Sequence, residues 1–211
     1  NVHSKNDFAY EKGMHTLTKF IGTHPKVMQE RISAKNWKFD HDYDAFHQQR
    51  EELYRVEAVK AQSLDKYGFV PVPLAAQLIE DHPAVTDAAL LDRREGVVRF
   101  DKNTYQEGIH FANADFLKLL NFPLISGSLD LNDPAQIALT ERMAKKYFAD
   151  QDPIGQTLTL FADQDFRRAV QVSGVLKNVP KNSSINMDFL TSLENRAYYD
   201  VTSLDRTKWQ N

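Results

Sequence analysis

Apolar positions along the chain change their period several times, and each change predicts a change of element. In "FDHDYDAFHQQREELYRVEAVK", Phe39, Tyr43, Phe46 and Leu53 recur at helical intervals, which predicts one buried helix face followed by a strand over 54–61. "VPLAAQLIEDHPAVTDAALLDR" repeats that order: Leu74 and Leu78 mark a helix stopped at His82-Pro83, and a strand is expected over 85–91. "EGVVRF" and "YQEGIHFA" predict strands over 97–100 and 106–111, separated by a turn at Asp101 to Asn103. Upstream, residues 7–34 read as a weakly amphipathic helical arm, interrupted near Gly22 and Pro25.

In the second half, "NADFLKLLNFPLISGS" predicts a short helix capped by Asn113 or Asp115 and ended by Pro123. "QIALT" reads as a strand over 135–139, and Thr140 as the cap of a helix whose Met143, Ala144, Tyr147 and Phe148 share one face. Phe116, Tyr147 and Phe148 are expected to be buried, because exposed together they would form an apolar patch of a kind monomers seldom leave uncovered. Strands over 156–161 and 168–178 complete an α+β fold.

Between the last helix and the next strand stands Asp152-Pro153-Ile154-Gly155. A phosphate loop needs a strand, then glycines offering free N–H groups, then a helix starting on the phosphate. Here the order is helix, turn, strand, and Pro153 removes a donor, so Gly155 reads as a turn residue.

Composition narrows the function classes. A formal charge of -3 gives no broad positive field for nucleic acid or anionic lipid. With no cysteine there is no disulfide framework, thiolate zinc site or Cys nucleophile. No window approaches the length of a bilayer-spanning apolar helix, and the first thirty residues lack a signal-peptide core.

The candidates for chemistry are sparse. Asp40, Asp44 and His47 would share a helix side and offer two carboxylates and an imidazole to Zn or Mn. The alternative, a solvated helix start with Asp40 or Asp42 as cap, is preferred because no second His-rich segment completes a site. His82 and His110 read as structural. Ser173-Gly174 lies in an apolar strand and Ser183-Ser184 in a polar loop, neither in a nucleophile elbow. The expectation is a protein that is not an enzyme, with no catalytic residues, no cofactor and no metal site.

The order of segments says more. "FDHDYDAFHQQREELYRV", "NADFLKLLNFPLISGS", "IALTERMAKKYFADQDPIGQTLTL" and "VSGVLKNVPKNSSINMDFL" together resemble the extracytoplasmic, periplasmic core domain of MacB/FtsX-type ABC transporter permeases, especially those of Bacteroidetes. The resemblance runs from Phe39 to Leu193. That family usually carries Gly after the aromatic end of the third segment's helix, where this chain has Ala149; it also has a transmembrane helix upstream of the first segment, where residues 1–36 here are polar.

The resemblance implies a polar arm (1–37), a porter-like α/β subdomain (38–112, completed by elements beyond the chain), an inserted β-rich, sabre-like subdomain (113–195) and a C-terminal segment (196–211). It implies no chemistry of the domain's own. A cytoplasmic ATPase hydrolyses ATP, and the permease, paired with a second copy in the inner membrane, carries the conformational change to the periplasmic side. There the domain meets a protein, lipoprotein, peptide or drug. A free-standing extracytoplasmic binding module is the alternative, and a metal-dependent enzyme the third reading.

Overall fold

Between Leu91 and Ser192 alternating segments and short apolar runs, separated by turns and two helices, build a sheet. The computed structural model describes residues 43–48, 50–59, 66–67, 70–162 and 167–198. The helical arm expected over 7–34, and Phe39, Asp40 and Asp42, lie outside the described residues. Among the described residues the first elements are β1 (Ala58–Val59) and β2 (Lys66–Tyr67), an antiparallel pair of their own, and α1 (Pro73–Asp81). α1 ends as expected at His82, whose extended φ of -126° precedes Pro83.

The main sheet starts with β3 (Leu91–Phe100) and β4 (Asn103–Ala112), a hairpin in register from Leu91 opposite Ala112 to Phe100 opposite Asn103. Its two-residue loop places Asp101 at φ 50°, the positive value such tight connections need. After α2 (Asp115–Leu119) come β5 (Leu124–Gly127), β6 (Gln136–Thr140), α3 (Glu141–Phe148), β7 (Thr157–Phe161), β8 (Arg167–Leu176) and β9 (Phe189–Ser192). A 3-10 turn, Leu193–Tyr198, ends the described chain.

Their order in the seven-stranded sheet is β5-β8-β6-β9-β4-β3-β7, and β7 also pairs with β8. That last ladder closes the sheet on itself. β7 runs antiparallel to β3 on one side (Val98 opposite Leu160) and to β8 on the other (Leu158 opposite Val170). β5 stays outside the ring, sharing one edge of β8 with β7. Strands from both sides of the expected 112/113 division meet in this sheet, since β4 pairs with β9 and β3 with β7.

Period-2 alternation then gives the strands two apolar faces. Inside the ring stand Val98, Ile109, Phe111, Ile137, Leu139, Leu158, Leu160, Val170, Val172 and Phe189, and α3 adds Met143, Tyr147 and Phe148. Phe148 meets Phe100 edge-on at 4.5 Å between ring centroids, and Tyr147 meets Phe189 at 5.7 Å. On the other face Ala112, Ala138, Leu176 and Leu190 pack with Phe116, Phe122, Leu131 and Met187. Phe116 and Phe122 stack with centroids 5.5 Å apart. Each fully buried side chain of this size contributes about 1.5–3 kcal/mol. Phe116, Tyr147 and Phe148 are buried, as expected from the apolar patch they would otherwise expose.

Four expectations need correction. The helix expected from Phe39 to Leu53 is not formed by the described residues of that stretch, which make turns. Asp44 sits at φ 54° and its N–H donates to Asn182 O at 2.8 Å, so tertiary bonds replace the helical ladder. The strand expected over 54–61 is confined to Ala58–Val59 within the described residues. The strand expected over 85–91 begins only at Leu91, because Asn113 takes the place of a partner strand: its Oδ1 accepts from Leu90 N–H (2.8 Å) and its Nδ2 donates to Ala88 O (2.9 Å). Neither Asn113 nor Asp115 caps α2, whose N-cap is Ala114. β5 and β9 have no counterpart among the expected strands.

The turn after α3 carries strain. Ala149 lies at φ 54°, ψ -112°, its N–H donating to Lys145 O, and Gln151 N–H returns to Phe148 O at 2.9 Å. This is the first central position of a type II′ turn, which glycine fills without penalty. Ala149→Gly is therefore expected to raise unfolding free energy by about 1 kcal/mol; a loss in urea titration would contradict it. The native glycines behave differently. Gly155, at φ 84°, has nothing within 4 Å of the point where a Cβ would stand, whereas a Cβ on Gly127, at φ 72°, would lie 2.1 Å from Ser173 O. Gly155→Val is expected to cost on the order of 1–3 kcal/mol through φ strain, and Gly127→Ala more than Gly155→Ala. The reverse ranking of the two alanine variants would overturn this account.

Candidate functional site

The polar groups of the described residues concentrate where α3 begins, beside the loop 177–188 that links β8 to β9. Thr140 is the N-cap of α3, but its hydroxyl donates to Asp188 Oδ1 at 3.0 Å instead of bonding to the helix. The capping is done across the chain. Arg142 N–H donates to Asn178 Oδ1 (2.9 Å), and Asn178 N–H donates to Glu141 Oε2 (3.0 Å), a reciprocal pair of the kind a capping box makes locally. Arg142 Nη2 then reaches Asp188 Oδ2 at 2.5 Å.

Segment 43–48 docks on the same loop. Asp44 Oδ1 accepts from Ser184 N–H at 2.8 Å, while His47 Nδ1 accepts from Asn121 N–H at 3.0 Å and Gln48 N–H donates to Asn121 Oδ1 at 2.7 Å. The His47 ring is buried between Phe46 and Phe122. Burial lowers its pKa, against the pull of Asp44, and keeps the imidazole neutral as the Asn121 bond demands. Between the docked segment, the loop and the α3 terminus runs an open groove of 540 Å³. Tyr43, Val179, Pro180 and Met187 form its apolar lining; Arg142, Lys181, Asn186 and Asp188 are among its polar groups.

Two buried ionisable groups lie elsewhere. Glu107 on β4 accepts from Lys146 Nζ (2.6 Å) and Tyr147 Oη (3.0 Å), and Lys146 lies 4.3 Å from the centroid of the Tyr105 ring. Burial, then the Glu107 charge, pushes the Tyr147 phenol up, so it stays a neutral donor. The set clamps α3 to β4. His110 on β4 faces Arg93 of β3 and Leu190 of β9 in register, is 5% exposed, and its buried Nδ1 has no hydrogen-bond partner among the described residues.

The residues singled out in the sequence are dispersed. Asp44 and His47 serve as anchors, Ser173 lies in β8, and Ser183 bonds locally to Ile185, its Oγ donating to Ile185 O at 3.0 Å. Among the described residues no three His, Asp or Glu side chains are grouped to hold a metal. Sequence reasoning missed Arg142, Asn178, Lys181, Asn186 and Asp188, which only the fold brings together.

His110 supplies a pH test. Burial, then Arg93, lowers its pKa to about 4 from 6.5, with Asp188, Asp92 and Glu95 opposing. The unfolded chain thus takes up this proton first. Its contribution to stability is complete above pH 6.5, declines as pH falls, and is exhausted below pH 4. The decline over that window is expected to be about 3 kcal/mol and to vanish in His110→Gln. Denaturant titrations of both proteins across pH 7 to about 4 check this; parallel curves would contradict it.

Comparison with known proteins gives the chain's family. The model of the MacB-like periplasmic core domain matches residues 38–211. A solved domain assigned to a permease protein of Porphyromonas gingivalis is 25% identical, with a TM-score of 0.58, covering 71% of this chain and 61% of its own length. The periplasmic region of MacB from Actinobacillus actinomycetemcomitans shares the fold at 14% identity and a TM-score of 0.50, covering 63% of this chain and 59% of that one. The chain thus spans about three fifths of either structure. No curated protein matches it significantly. Among the described residues no helix is long and apolar enough to cross a membrane. With the family match covering most of its length, the chain belongs to the MacB-like periplasmic core domains of ABC transporter permeases.

Proposed function

We propose that this chain works as the extracytoplasmic domain of a permease in which ATP hydrolysis at a cytoplasmic ATPase is passed across the inner membrane as a conformational change. The family match over residues 38–211 carries this reading. The work is mechanical: a domain that relays motion needs a stiff body, and a sheet closed into a ring with apolar packing on both faces suits that need. Its partners are the ATPase, a second permease copy, and an extracytoplasmic protein, lipoprotein, peptide or drug.

A two-part organisation goes with this reading. The ring and the elements packed on it form the sabre-like lobe, and α1 with β1 and β2 belongs to the porter-like part. In place of the expected division at 112/113, a boundary before β3 is the one supported by β3 and β4 sharing the ring with β6 to β9.

The reading is tested by the complete open reading frame. Transmembrane helices flanking this region and a neighbouring ATPase gene are expected; a secreted protein with no hydrophobic segment would make the chain a free-standing binding module. Calorimetry of the purified chain with ATP, Zn, Mn and Ca is expected to show no stoichiometric site. A micromolar site for any of them would favour an enzyme or metal-binding protein instead.

A further inference from the structure

The groove beside α3 has a polar balance unlike that of the whole chain. The protein carries a net charge of -3, yet among the described residues the groove lining presents two cations, Arg142 and Lys181, against a single carboxylate, Asp188. Asp188 is already occupied, by the Thr140 hydroxyl and by Arg142. The uncompensated charge of this lining is therefore the Lys181 ammonium, which is exposed. Arg142, with its side chain 63% exposed, commits Nη2 to Asp188 and keeps further N–H donors. Asn186 adds an exposed amide at the same wall.

The same lining includes Val179, Pro180, the buried Met187 and the exposed Tyr43. We infer that the groove binds an extended peptide segment of a partner protein in which an acidic side chain stands next to an apolar one. The carboxylate meets Lys181 and the free edge of Arg142, and the apolar side chain covers Val179, Pro180 and Tyr43. The Asn186 amide, donor and acceptor at once, matches the N–H and C=O of a peptide unit. A volume of 540 Å³ lies within the range of ligand clefts, about 300–1,000 Å³. The wall is preorganised, because the Asn178, Glu141, Thr140 and Asp188 bonds are made before any ligand arrives. The inference rests on the reading of this domain as one that meets an extracytoplasmic partner.

The test uses the full 211-residue chain and two capped tetrapeptides, Ac-Ala-Asp-Leu-Ala-NH2 and its Asn counterpart, titrated with NMR detection. The acidic peptide is expected to saturate with a Kd of roughly millimolar order, shifting the resonances of Tyr43, Lys181 and Asn186. The Asn peptide should bind at least about fivefold more weakly, and added salt should narrow the difference. Lys181→Glu, a substitution at an exposed side chain, should abolish the preference while leaving the melting temperature unchanged. Equal binding of the two peptides, shifts confined to other surfaces, no saturation, or equal binding of free acetate would each overturn the inference. None of these results touches the permease reading, which the open reading frame decides separately.

Discussion

β7 pairs with β3 along one edge and β8 along the other, and this double pairing turns an open sheet into a ring. An open sheet of these strands would leave the interior faces of Val98, Leu158, Leu160 and Val170 in contact with water at its margins. Closure dries that face and removes two edges that would otherwise seek strands from other chains. The short connection from α3 sets the position of β7. Asp152 Oδ1 accepts from Ile154 N–H at 3.0 Å, Gly155 N–H donates to Val172 O at 2.8 Å, and Val172 N–H donates back to Gln156 O. The turn thus reaches β8 before β7 begins, and it fixes the register of the closing ladder.

The same closure explains where the groove stands. α3 is held by its apolar face inside the ring and by Lys146 and Tyr147 on Glu107, so its first turn has a fixed position. The loop 177–188 leaves β8 and returns to β9, two strands that flank β6 in the ring. Its Asn178 and Asp188 can therefore bond to residues 140–142 without ordering a mobile segment. Segment 43–48 comes last, clipped on through Asp44 and His47. A groove assembled in this way has walls bonded to one another and to the ring.

Part of the ring was legible in the sequence because alternation reports a strand with two unlike faces, as in β7 and the first half of β8, while β4 and β6 were read from short apolar runs bounded by turn or cap residues. β5 and β9 were not legible. Phe189–Ser192 is a run of four buried residues with no alternation to read, and Leu124–Gly127 looks like the loop after Pro123. The helical spacing of Phe39, Tyr43, Phe46 and Leu53 misled because the contacts that decide Asp44's backbone come from Asn182 and Ser184, far along the chain. Asn113 and Thr140 look like local caps and act instead on distant partners. Ring closure leaves no local trace, and the groove still less, since its residues come from around 43, 142 and 178–188.

Native-state hydrogen exchange addresses closure directly. If the ring is one cooperative body, amides of β7 bonded to β8 should exchange with the same opening free energy as those of β4, β6 and β9. β1 and β2, an isolated pair, should open at lower cost. Exchange of β7 through a separate, much cheaper opening, with the remaining strands still protected, would mean that the sheet is open at that seam and would contradict the account.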